Sequence, residues 1–410
     1  MIHVATAAPE IEVSLVFRHF HPILAGAAER FRRYSLPLAQ QGIGYQVYTL
    51  RESAEHAEAE QMHAALWVQR ISAQGLPLER DAALFAAAWR GLAQPASQGR
   101  LLQTSLCHHL AAPWLRRISA AGTRCLYVGT MVGREESGVP LLKRWVRRWR
   151  DHQNHAPFHA AVASTTVMAR YLERLGFRRE RIQVILNGVD VERFRPVADV
   201  AEKRSLRERL GLPAAARVVV FAGSIVPRKG VDMLVRVWPQ IVAQMPDARL
   251  VLVGGFDRPT FMTQERMQEL TRFQDSLRAQ AARPEAGGSI TFTGECAEVQ
   301  DWLRAADVFA FPSEQEGMGN VVLEAMACGL PCVITQFHGM PEQEFGKPSQ
   351  EFCLVPREDD ALVGGLLRTL AADGAAAAMG RAARDWACKE LDVRLTIERY
   401  AVLYRRLAGH

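Results

Sequence analysis

The sequence predicts two α/β domains, each with a doubly wound, Rossmann-like parallel β-sheet. Short runs of four to six apolar residues, many of them β-branched, recur between stretches of helical period, which is typical of parallel strands buried on both faces. The runs fall into two series along the chain. The 410 residues also exceed one ordinary domain, since a domain takes about 150 residues.

The first series of strands begins close to the N-terminus. The segment MIHVATAAPEIEVSLVF, residues 1–17, lacks the basic region of a signal peptide and is predicted to hold the first strand. The next strands are predicted at residues 45–49, 67–71, 101–106, 125–128, 160–163 and 182–186.

The second series has sharper apolar runs, at residues 218–223, 250–255, 290–294, 308–313, 332–335 and 352–355. Gly188 and Pro196 punctuate the stretch between the two series, which predicts a domain boundary there. We therefore expect an N-terminal domain over residues 1–190 and a second domain over 191–388, followed by a C-terminal helix over 389–410. Ligands are expected at the carboxyl ends of the strands, in a cleft shared by both domains.

Composition excludes several classes of protein. Hydrophobic residues make up 49% of the chain and charged residues 23%, which excludes a disordered or fibrous protein. No run of eighteen apolar residues occurs, so no transmembrane helix is predicted. The seven cysteines are scattered without a C-x-x-C pair, which argues against a disulfide framework or a zinc site and favours a reducing cytoplasm.

Positive charge is concentrated in the first half of the chain. Residues 1–190 hold 23 Lys and Arg against 15 Asp and Glu, a net charge of +8, whereas residues 191–410 have a net charge of −2. The basic half is therefore expected to face an acidic partner, such as a membrane surface or a phosphorylated acceptor. No nucleic acid partner is expected, because the excess lies in one short segment and no nucleic-acid motif accompanies it.

The most informative segment is PSEQEGMGNVVLEAMACGLPCVIT, residues 312–335. A strand is predicted to end at Pro312, followed by a glycine-bearing loop and a helix with Asn320 as its N-cap. Free backbone amides at a helix N-terminus form an anion site, and here they belong to Gly317, Met318, Gly319 and Asn320.

Two carboxylates accompany this predicted anion site. Glu316 lies in the loop and Glu324 lies one turn into the helix, so both can reach one ligand. A carboxylate accepts two hydrogen bonds from a vicinal diol, which suits paired sugar hydroxyls. Alone, the two glutamates would be read as solvated surface residues, but the preceding strand, the glycines and the cap all favour a site.

Two further turns suit phosphate groups. In FAGSIVPRKGVDML, residues 221–234, a strand ends at Gly223, and Arg228 and Lys229 precede a helix that begins near Val231. Adjacent cations at a strand-to-helix turn suit a diphosphate leaving group. In LAGAAERFRRYSLPLAQQG, residues 24–42, Gly26 precedes a helix whose first turn can approach phosphate.

These residues together resemble a known family. The spacing Glu316-x7-Glu324 resembles the signature of the retaining glycosyltransferase family 4, which has the GT-B fold of two Rossmann-like domains. Residues 26–42 resemble its glycine loop and helix, residues 187–196 its interdomain segment and residues 223–230 its phosphate-binding turn. The C-terminal helix resembles the one that crosses back to the first domain in that family.

The resemblance implies that a sugar moves from a nucleotide-sugar donor to a lipid-linked or polysaccharide acceptor of bacterial envelope or exopolysaccharide synthesis. The donor base is left open, and a UDP-sugar is favoured over a GDP-sugar. It implies that Glu324 binds the ribose hydroxyls and that Glu316 contacts the transferred sugar. Arg228 and Lys229 would hold the diphosphate, with Gly26 against it from the first domain. It also implies front-face attack with retention, and no cofactor besides the donor.

Histidines are candidates for the reacting centre. The family often has a histidine after the fourth strand of its first domain, and here His108 and His109 both qualify. A metal ion is not expected, because Pro157 separates His159 from the other histidines of a possible cluster, His152 and His155, and no D-x-D occurs to hold a cation on the diphosphate.

Two other function classes stay open. A nucleotide-sugar epimerase or hydrolase has the same architecture, and the Glu-x7-Glu spacing argues against it. The second class is a non-enzymatic family member that acts as a binding subunit. It stays open because Ser224 stands where the family commonly has arginine.

The segment PLLKRWVRRWRD, residues 140–151, predicts a helix that lies on a membrane. Trp145 and Trp149 fall on an apolar face, and the opposite face includes Arg144, Arg147 and Arg148. Tryptophan on one side and arginine on the other is typical of an interfacial helix on an anionic leaflet. The alternative is a helix whose apolar side faces the core. We therefore predict a cytoplasmic protein that is peripheral on the inner face of the cytoplasmic membrane.

Overall fold

The structure, a computed structural model, describes residues 9–23, 26–93, 99–133, 140–256, 264–341, 343–371 and 373–409. Two compact units are present, one reaching to Leu186 and including the chain from Thr396 onwards, the other comprising Asn187–Leu395. Each unit is built on one doubly wound β-sheet, which confirms the predicted fold class.

The first unit is built on an eight-stranded sheet. Its elements are β1 (Ile11–Val16), α1 (Gly26–Ala39), β2 (Ile43–Leu50), β3 (Ala59–His63), β4 (Leu66–Ile71), α2 (Pro77–Leu92), β5 (Arg100–Thr104), α3 (Ala112–Ala120), β6 (Arg124–Val128), α4 (Leu141–His155), β7 (Ala160–Ala163), α5 (Thr166–Arg174) and β8 (Ile182–Val184). The strand order is β3-β4-β2-β1-β5-β6-β7-β8.

The strand β3 departs from the predicted pattern. It pairs antiparallel with β4 at the edge of the sheet, whereas the other pairs are parallel. Its sequence AEQMH lacks an apolar run because its side chains are partly or fully exposed. The sequence therefore predicted no strand there.

The second unit is built on a six-stranded sheet. Its elements are α6 (Val200–Arg209), β9 (Arg217–Ala222), α7 (Val231–Gln244), β10 (Ala248–Val253), α8 (Gln264–Ala281), β11 (Ile290–Gly294), α9 (Val299–Ala305), β12 (Val308–Phe311), α10 (Asn320–Ala327), β13 (Cys332–Thr335), β14 (Cys353–Val355), α11 (Asp359–Ala371) and α12 (Asp373–Glu390). The order β11-β10-β9-β12-β13-β14 is parallel throughout.

The last helix, α13 (Val393–Ala408), joins the first unit from Thr396 onwards. Tyr400 and Tyr404 are fully buried there, and the Tyr400 ring packs edge-on against Phe31 of α1. The hydroxyl of Tyr404 donates to Oε1 of Gln103 at 2.7 Å. Burial of two large aromatic rings supplies several kcal/mol, at about 25 cal/mol per Å² of apolar surface, which holds the chain end on this unit.

In the second unit, α7 covers the sheet with fully buried apolar side chains that include Leu234, Trp238 and Ile241. The indole of Trp238 donates to Oγ of Ser289 at 2.8 Å, so its polar atom is satisfied. Within the described ranges, no single helix has the length and apolar character to cross a membrane, although the bent pair 359–371 and 374–390 meets that measure jointly.

Candidate active site

The candidate site of the second unit lies at the carboxyl ends of β9 and β12. These strands are neighbours at the point where the chain, having built β10 and β11 on one side of β9, returns to the other side. Such a reversal opens a crevice beyond the strand ends, and doubly wound sheets bind ligands there. The loops 223–230 and 312–319, which follow the two strands, both carry predicted site residues.

Glu316 is at the centre of these loops. Its Oε1 atom lies 2.7 Å from Nζ of Lys229, 3.0 Å from Nη1 of Arg228 and 2.8 Å from Oγ of Ser313. The glutamate is only 7% exposed, so solvent screens these contacts weakly. The structure therefore brings together the predicted carboxylate and both predicted cations, and it adds a serine hydroxyl.

Backbone contacts hold the two loops against each other. The amide of Glu314 donates to the carbonyl of Arg228 at 2.8 Å. Gly230 has φ 68°, and a Cβ atom there would lie 2.1 Å from the carbonyl oxygen of Pro312. Only glycine permits both this left-handed conformation and this close approach. The cations at positions 228 and 229 are placed beside Glu316 for that reason.

Replacing Gly230 by alanine is expected to destabilise the second unit by about 1–3 kcal/mol, because the left-handed backbone and the carbonyl contact both disfavour a side chain. Urea unfolding of the full chain measures the loss. The matched control is Gly211→Ala. Gly211 has the same φ of 68°, but a Cβ atom there would lie more than 4 Å from the other described residues outside its immediate neighbours. Equal losses in the two variants would show that backbone conformation alone requires Gly230.

The N-terminus of α10 differs from the prediction in one residue. Gly319, with φ 71°, occupies the cap position, and Asn320 is the first helical residue rather than the N-cap. The Asn320 side chain instead accepts a hydrogen bond from Nδ2 of Asn187 at 2.6 Å. No amide of residues 317–320 donates to a backbone carbonyl in the described part of the chain, which is the arrangement of an anion site.

Met318 and Glu324, which are also predicted to contact the nucleotide-sugar donor, differ in exposure. The Met318 side chain is buried, and its sulfur accepts from the amide of Asn187 at 3.3 Å, so only its backbone can face a ligand. Glu324 is half-buried and lies four residues after Asn320, on the same side of α10.

In the first unit, the structure distinguishes the two candidate histidines. Both follow β5, but His109 is exposed, whereas His108 is half-buried with its Nε2 atom 3.3 Å from Oδ2 of Asp81. Gly26 is the first residue of α1, is exposed, and a Cβ atom there would contact nothing within 4 Å. No contact among the described residues of this unit requires glycine at that position.

The helix α4 turns those of its apolar side chains that the structure describes to solvent. Among them, Trp145 is 65% and Trp149 58% exposed, and Leu142 and Val146 are exposed as well. The cations Lys143, Arg147, Arg148 and Arg150 are also exposed. The side chain of Arg144 lies outside those that the structure describes. The described apolar face is therefore not packed in the core, contrary to the alternative considered for this helix.

The three histidines considered as a metal cluster make separate contacts. His155 places Nδ1 2.6 Å from the carbonyl of Asp151, and His159 accepts from the amide of Cys125 at 3.1 Å. His152 packs against Gly176. In the described ranges, no three His, Cys, Asp or Glu side chains are grouped to hold a metal ion.

Sequence reasoning missed Ser313, Asn187 and Asp81. Ser313 had a usable signal, since it stands three residues before Glu316 at the end of a predicted strand. The other two had none, because each meets its partner across a long stretch of chain.

Comparison with known proteins agrees with this geometry. The family described as Glycosyltransferase Family 4 matches residues 25–193, and the family described as Glycosyl transferases group 1 matches residues 216–372. The first match lies largely in the first unit and the second match lies within the second unit.

Two curated relatives, both named as glycosyl- or mannosyltransferases, each match about half of this chain. A D-inositol 3-phosphate glycosyltransferase of Xylanimonas cellulosilytica is 38% identical over 195 residues, covering 46% of this chain and 43% of the relative. A GDP-mannose-dependent monoacylated alpha-(1-6)-phosphatidylinositol monomannoside mannosyltransferase of Corynebacterium glutamicum is 33% identical over 225 residues, covering 51% and 54%. The chain spans about half the length of these curated relatives in the matches.

A solved structure extends the similarity of fold to nearly the whole chain. The crystal structure of Anabaena HepE in complex with UDP-glucose superposes with a TM-score of 0.73 at 18% identity, covering 97% of this chain and 100% of that one. The two family matches together span most of the sequence, in the order of the two sheets. The chain therefore belongs to the family 4 glycosyltransferases, with the GT-B fold.

Proposed function

We propose that the chain is a glycosyltransferase that moves a sugar from a nucleotide-sugar donor to an acceptor. The observation that carries the proposal is the contact of Glu316 with both Lys229 and Arg228, beside the amides at the start of α10. Cations, backbone amides at a helix N-terminus and a carboxylate, all at the carboxyl ends of neighbouring strands, suit a diphosphate joined to a sugar.

Charge development gives these groups their roles. As the bond between sugar and diphosphate breaks, negative charge grows on the leaving phosphate and positive charge on the sugar carbon. Lys229, Arg228 and the amides of residues 317–320 stabilise the phosphate, since fixed donors need no reorganisation during the reaction. Glu316 contacts both cations, and we propose that it holds them in place and also contacts the transferred sugar.

We propose retention of configuration without a metal ion. Glu316 is engaged by two cations and a serine, which suits it poorly to act as a nucleophile beneath the sugar. Front-face attack, with the departing phosphate taking the acceptor proton, fits this arrangement. Lys229 and Arg228 supply the positive charge that a divalent cation would otherwise supply. We expect activity to survive EDTA, and NMR of the product is expected to show the donor's anomeric configuration.

Thermal unfolding with UDP, GDP and ADP tests donor binding directly. At one fixed nucleotide concentration, the nucleotide with the lowest dissociation constant stabilises the protein most, by about 2.7 kcal/mol when it is present at 100 times that constant. We propose that this nucleotide is UDP. Sugar transfer from the matching donor must follow. Nucleotide release without any sugar product linked to acceptor would favour a hydrolase or epimerase, and binding without turnover would favour a binding subunit.

Glu324→Gln is expected to weaken UDP binding by about 1–3 kcal/mol, because an amide oxygen accepts less strongly from the ribose hydroxyls than a carboxylate does. Calorimetric titration measures this loss. The internal control is 2′-deoxy-UDP, which lacks one of the two hydroxyls. The preference of the parent protein for UDP over 2′-deoxy-UDP is expected to shrink in the variant, and an unchanged preference would remove Glu324 from the ribose site.

We propose that the acceptor is lipid-linked, that the protein works at the cytoplasmic membrane surface, and that its product serves envelope or exopolysaccharide synthesis. Support comes from α4, where exposed tryptophans share a helix with exposed cations. Solvent-exposed indole rings are unfavourable in water and favourable at a headgroup layer, and nearby cations add attraction to anionic lipid. Bringing the enzyme to the membrane would place it where a lipid-linked acceptor resides.

A further inference from the structure

A buried network of charged side chains lies at the carboxyl edge of the first sheet. Arg18 follows β1, Glu52 follows β2 and His108 follows β5, and these three strands are neighbours in the sheet. Arg80 and Asp81, from the beginning of α2, complete the group. Each of the two acids pairs with one arginine and one histidine.

Asp81 is the more buried of the two acids. It is 0% exposed, and Arg18 binds it with two contacts, Nε to Oδ1 at 2.9 Å and Nη2 to Oδ2 at 2.5 Å. Burial alone would raise the pKa of Asp81, but the contacts with Arg18 and His108 outweigh it, so its pKa lies below the ordinary value. The carboxylate is therefore ionised at neutral pH and rigidly held.

His108 lies against this carboxylate. Nε2 of the ring is 3.3 Å from Oδ2 of Asp81, which is an ion-pair distance rather than a well-aligned hydrogen bond. Neither ring nitrogen has another hydrogen-bond partner in the described part of the chain, and the side chain is 13% exposed. Asp81 is thus the polar group that orients the ring and favours the tautomer with its proton on Nε2.

The second acid makes a similar set of contacts without a candidate reacting group. Glu52 is 3.2 Å from Arg80 and 3.5 Å from Nδ1 of His19. Its side chain is nearly as deeply buried, at 6% exposure. The chain therefore contains two carboxylates of matched surroundings, and only one of them touches a histidine predicted for the reacting centre.

We propose that Asp81 is a positioning residue for sugar transfer, which fixes the orientation of the His108 ring, while Arg18 locks Asp81 in place. This inference rests on the proposed function, and it assigns the reacting histidine as His108 rather than His109. An oriented imidazole lowers the reorganisation required in the transition state, as outer-shell partners of other functional groups do.

Kinetics with a double-mutant cycle test the inference. Asp81→Asn is expected to lower kcat about 10- to 100-fold, with the donor KM changed less than about twofold. In a His108→Ala background the same substitution should have little further effect on kcat, because Asp81 acts through that ring. Asp81→Glu is expected to restore part of the rate. A loss of equal size in both backgrounds would overturn the proposal.

A matched control separates positioning from folding. Glu52→Gln removes a carboxylate of similar burial and pairing, so it is expected to lower the thermal midpoint about as much as Asp81→Asn while reducing kcat far less. A double variant, Arg18→Gln with Asp81→Asn, removes both charges if the single variant folds poorly. Equal losses of kcat in Glu52→Gln and Asp81→Asn would count against a role specific to His108.

Imidazole ¹⁵N NMR of the full chain gives a readout that needs no activity. At about pH 9, where an ordinary imidazole is neutral, His108 is expected to carry its proton on Nε2 in the parent protein and to show a mixture of tautomers in Asp81→Asn. Identical spectra of the parent protein and Asp81→Asn would overturn the inference whether or not sugar transfer is observed. A parent protein without transferase activity but with the expected spectra would instead reject the proposed function alone.

Discussion

Replacing Lys229 by alanine is expected to lower kcat/KM for sugar transfer about 100- to 1000-fold, the usual cost of removing one fixed donor from a developing anion. The Lys229 side chain is only 11% exposed and its ammonium lies 2.7 Å from Glu316, so the charge acts where water is largely excluded. Steady-state kinetics with the donor identified by thermal unfolding measure the effect. Arg228→Ala is expected to cost less, because its side chain is 40% exposed.

Two controls separate catalysis from charge balance. Lys203→Ala makes the same change on α6, where Lys203 pairs with Asp307 just before β12, away from the carboxyl edge, and it is expected to leave kcat/KM nearly unchanged. The double variant Lys229→Ala with Glu316→Gln removes both partners of the buried contact. Recovery of activity in the double variant would show that the single variant suffers from an unpaired carboxylate rather than from a lost phosphate contact.

Reversing the charge of Lys143, Arg147 and Arg148 to glutamate is expected to lower the partition of the protein onto anionic vesicles more than about 100-fold, since each cation near the surface contributes about 1 kcal/mol. The three side chains are exposed on α4, and the tryptophans of the helix are exposed with them. Co-sedimentation with phosphatidylglycerol vesicles measures the partition. Binding of the parent protein is expected to weaken with salt and to be weak on phosphatidylcholine.

The matched control reverses the charge of three arginines in the second unit instead of three cations on α4. Arg266→Glu, Arg272→Glu and Arg283→Glu change the net charge equally on exposed positions of the second unit, and they are expected to retain most of the binding. Trp145→Ala with Trp149→Ala is expected to weaken binding to both kinds of vesicle, because it removes apolar contact rather than charge. Similar binding by the α4 triple variant and its control would reject a membrane role for this helix.

The fold class was predictable because its signal is local. A parallel strand buried on both faces must be apolar along its whole length, so runs such as 218–223 and 250–255 mark strands without any knowledge of their neighbours. The strand β3 was missed for the same reason, since a partly exposed edge strand needs no apolar run. Local preference also placed the cap of α10 one residue late, because asparagine is a common cap and the left-handed Gly319 was not recognised as one.

Part of the candidate site was also predictable from local sequence. Glycine loops between a strand and a helix have few possible conformations, so Glu316, Arg228 and Lys229 were assigned to strand ends from the sequence alone. Their meeting at one carboxylate oxygen depends on β9 and β12 being neighbours in the sheet and on Gly230 packing against Pro312. Neither condition is visible in the spacing of residues.

By itself, the sequence determined that the chain forms two doubly wound sheets and that Arg228, Lys229 and Glu316 lie in loops at strand ends, because periodicity, glycine and helix ends act over a few residues. Only the tertiary structure decided which distant side chains meet. It placed His108, rather than His109, beside Asp81, joined Ser313 to Glu316, and left the tryptophans of α4 in solvent. The physical reason is that a side chain's burial and partners depend on packing between elements far apart in the chain, which local preferences do not encode.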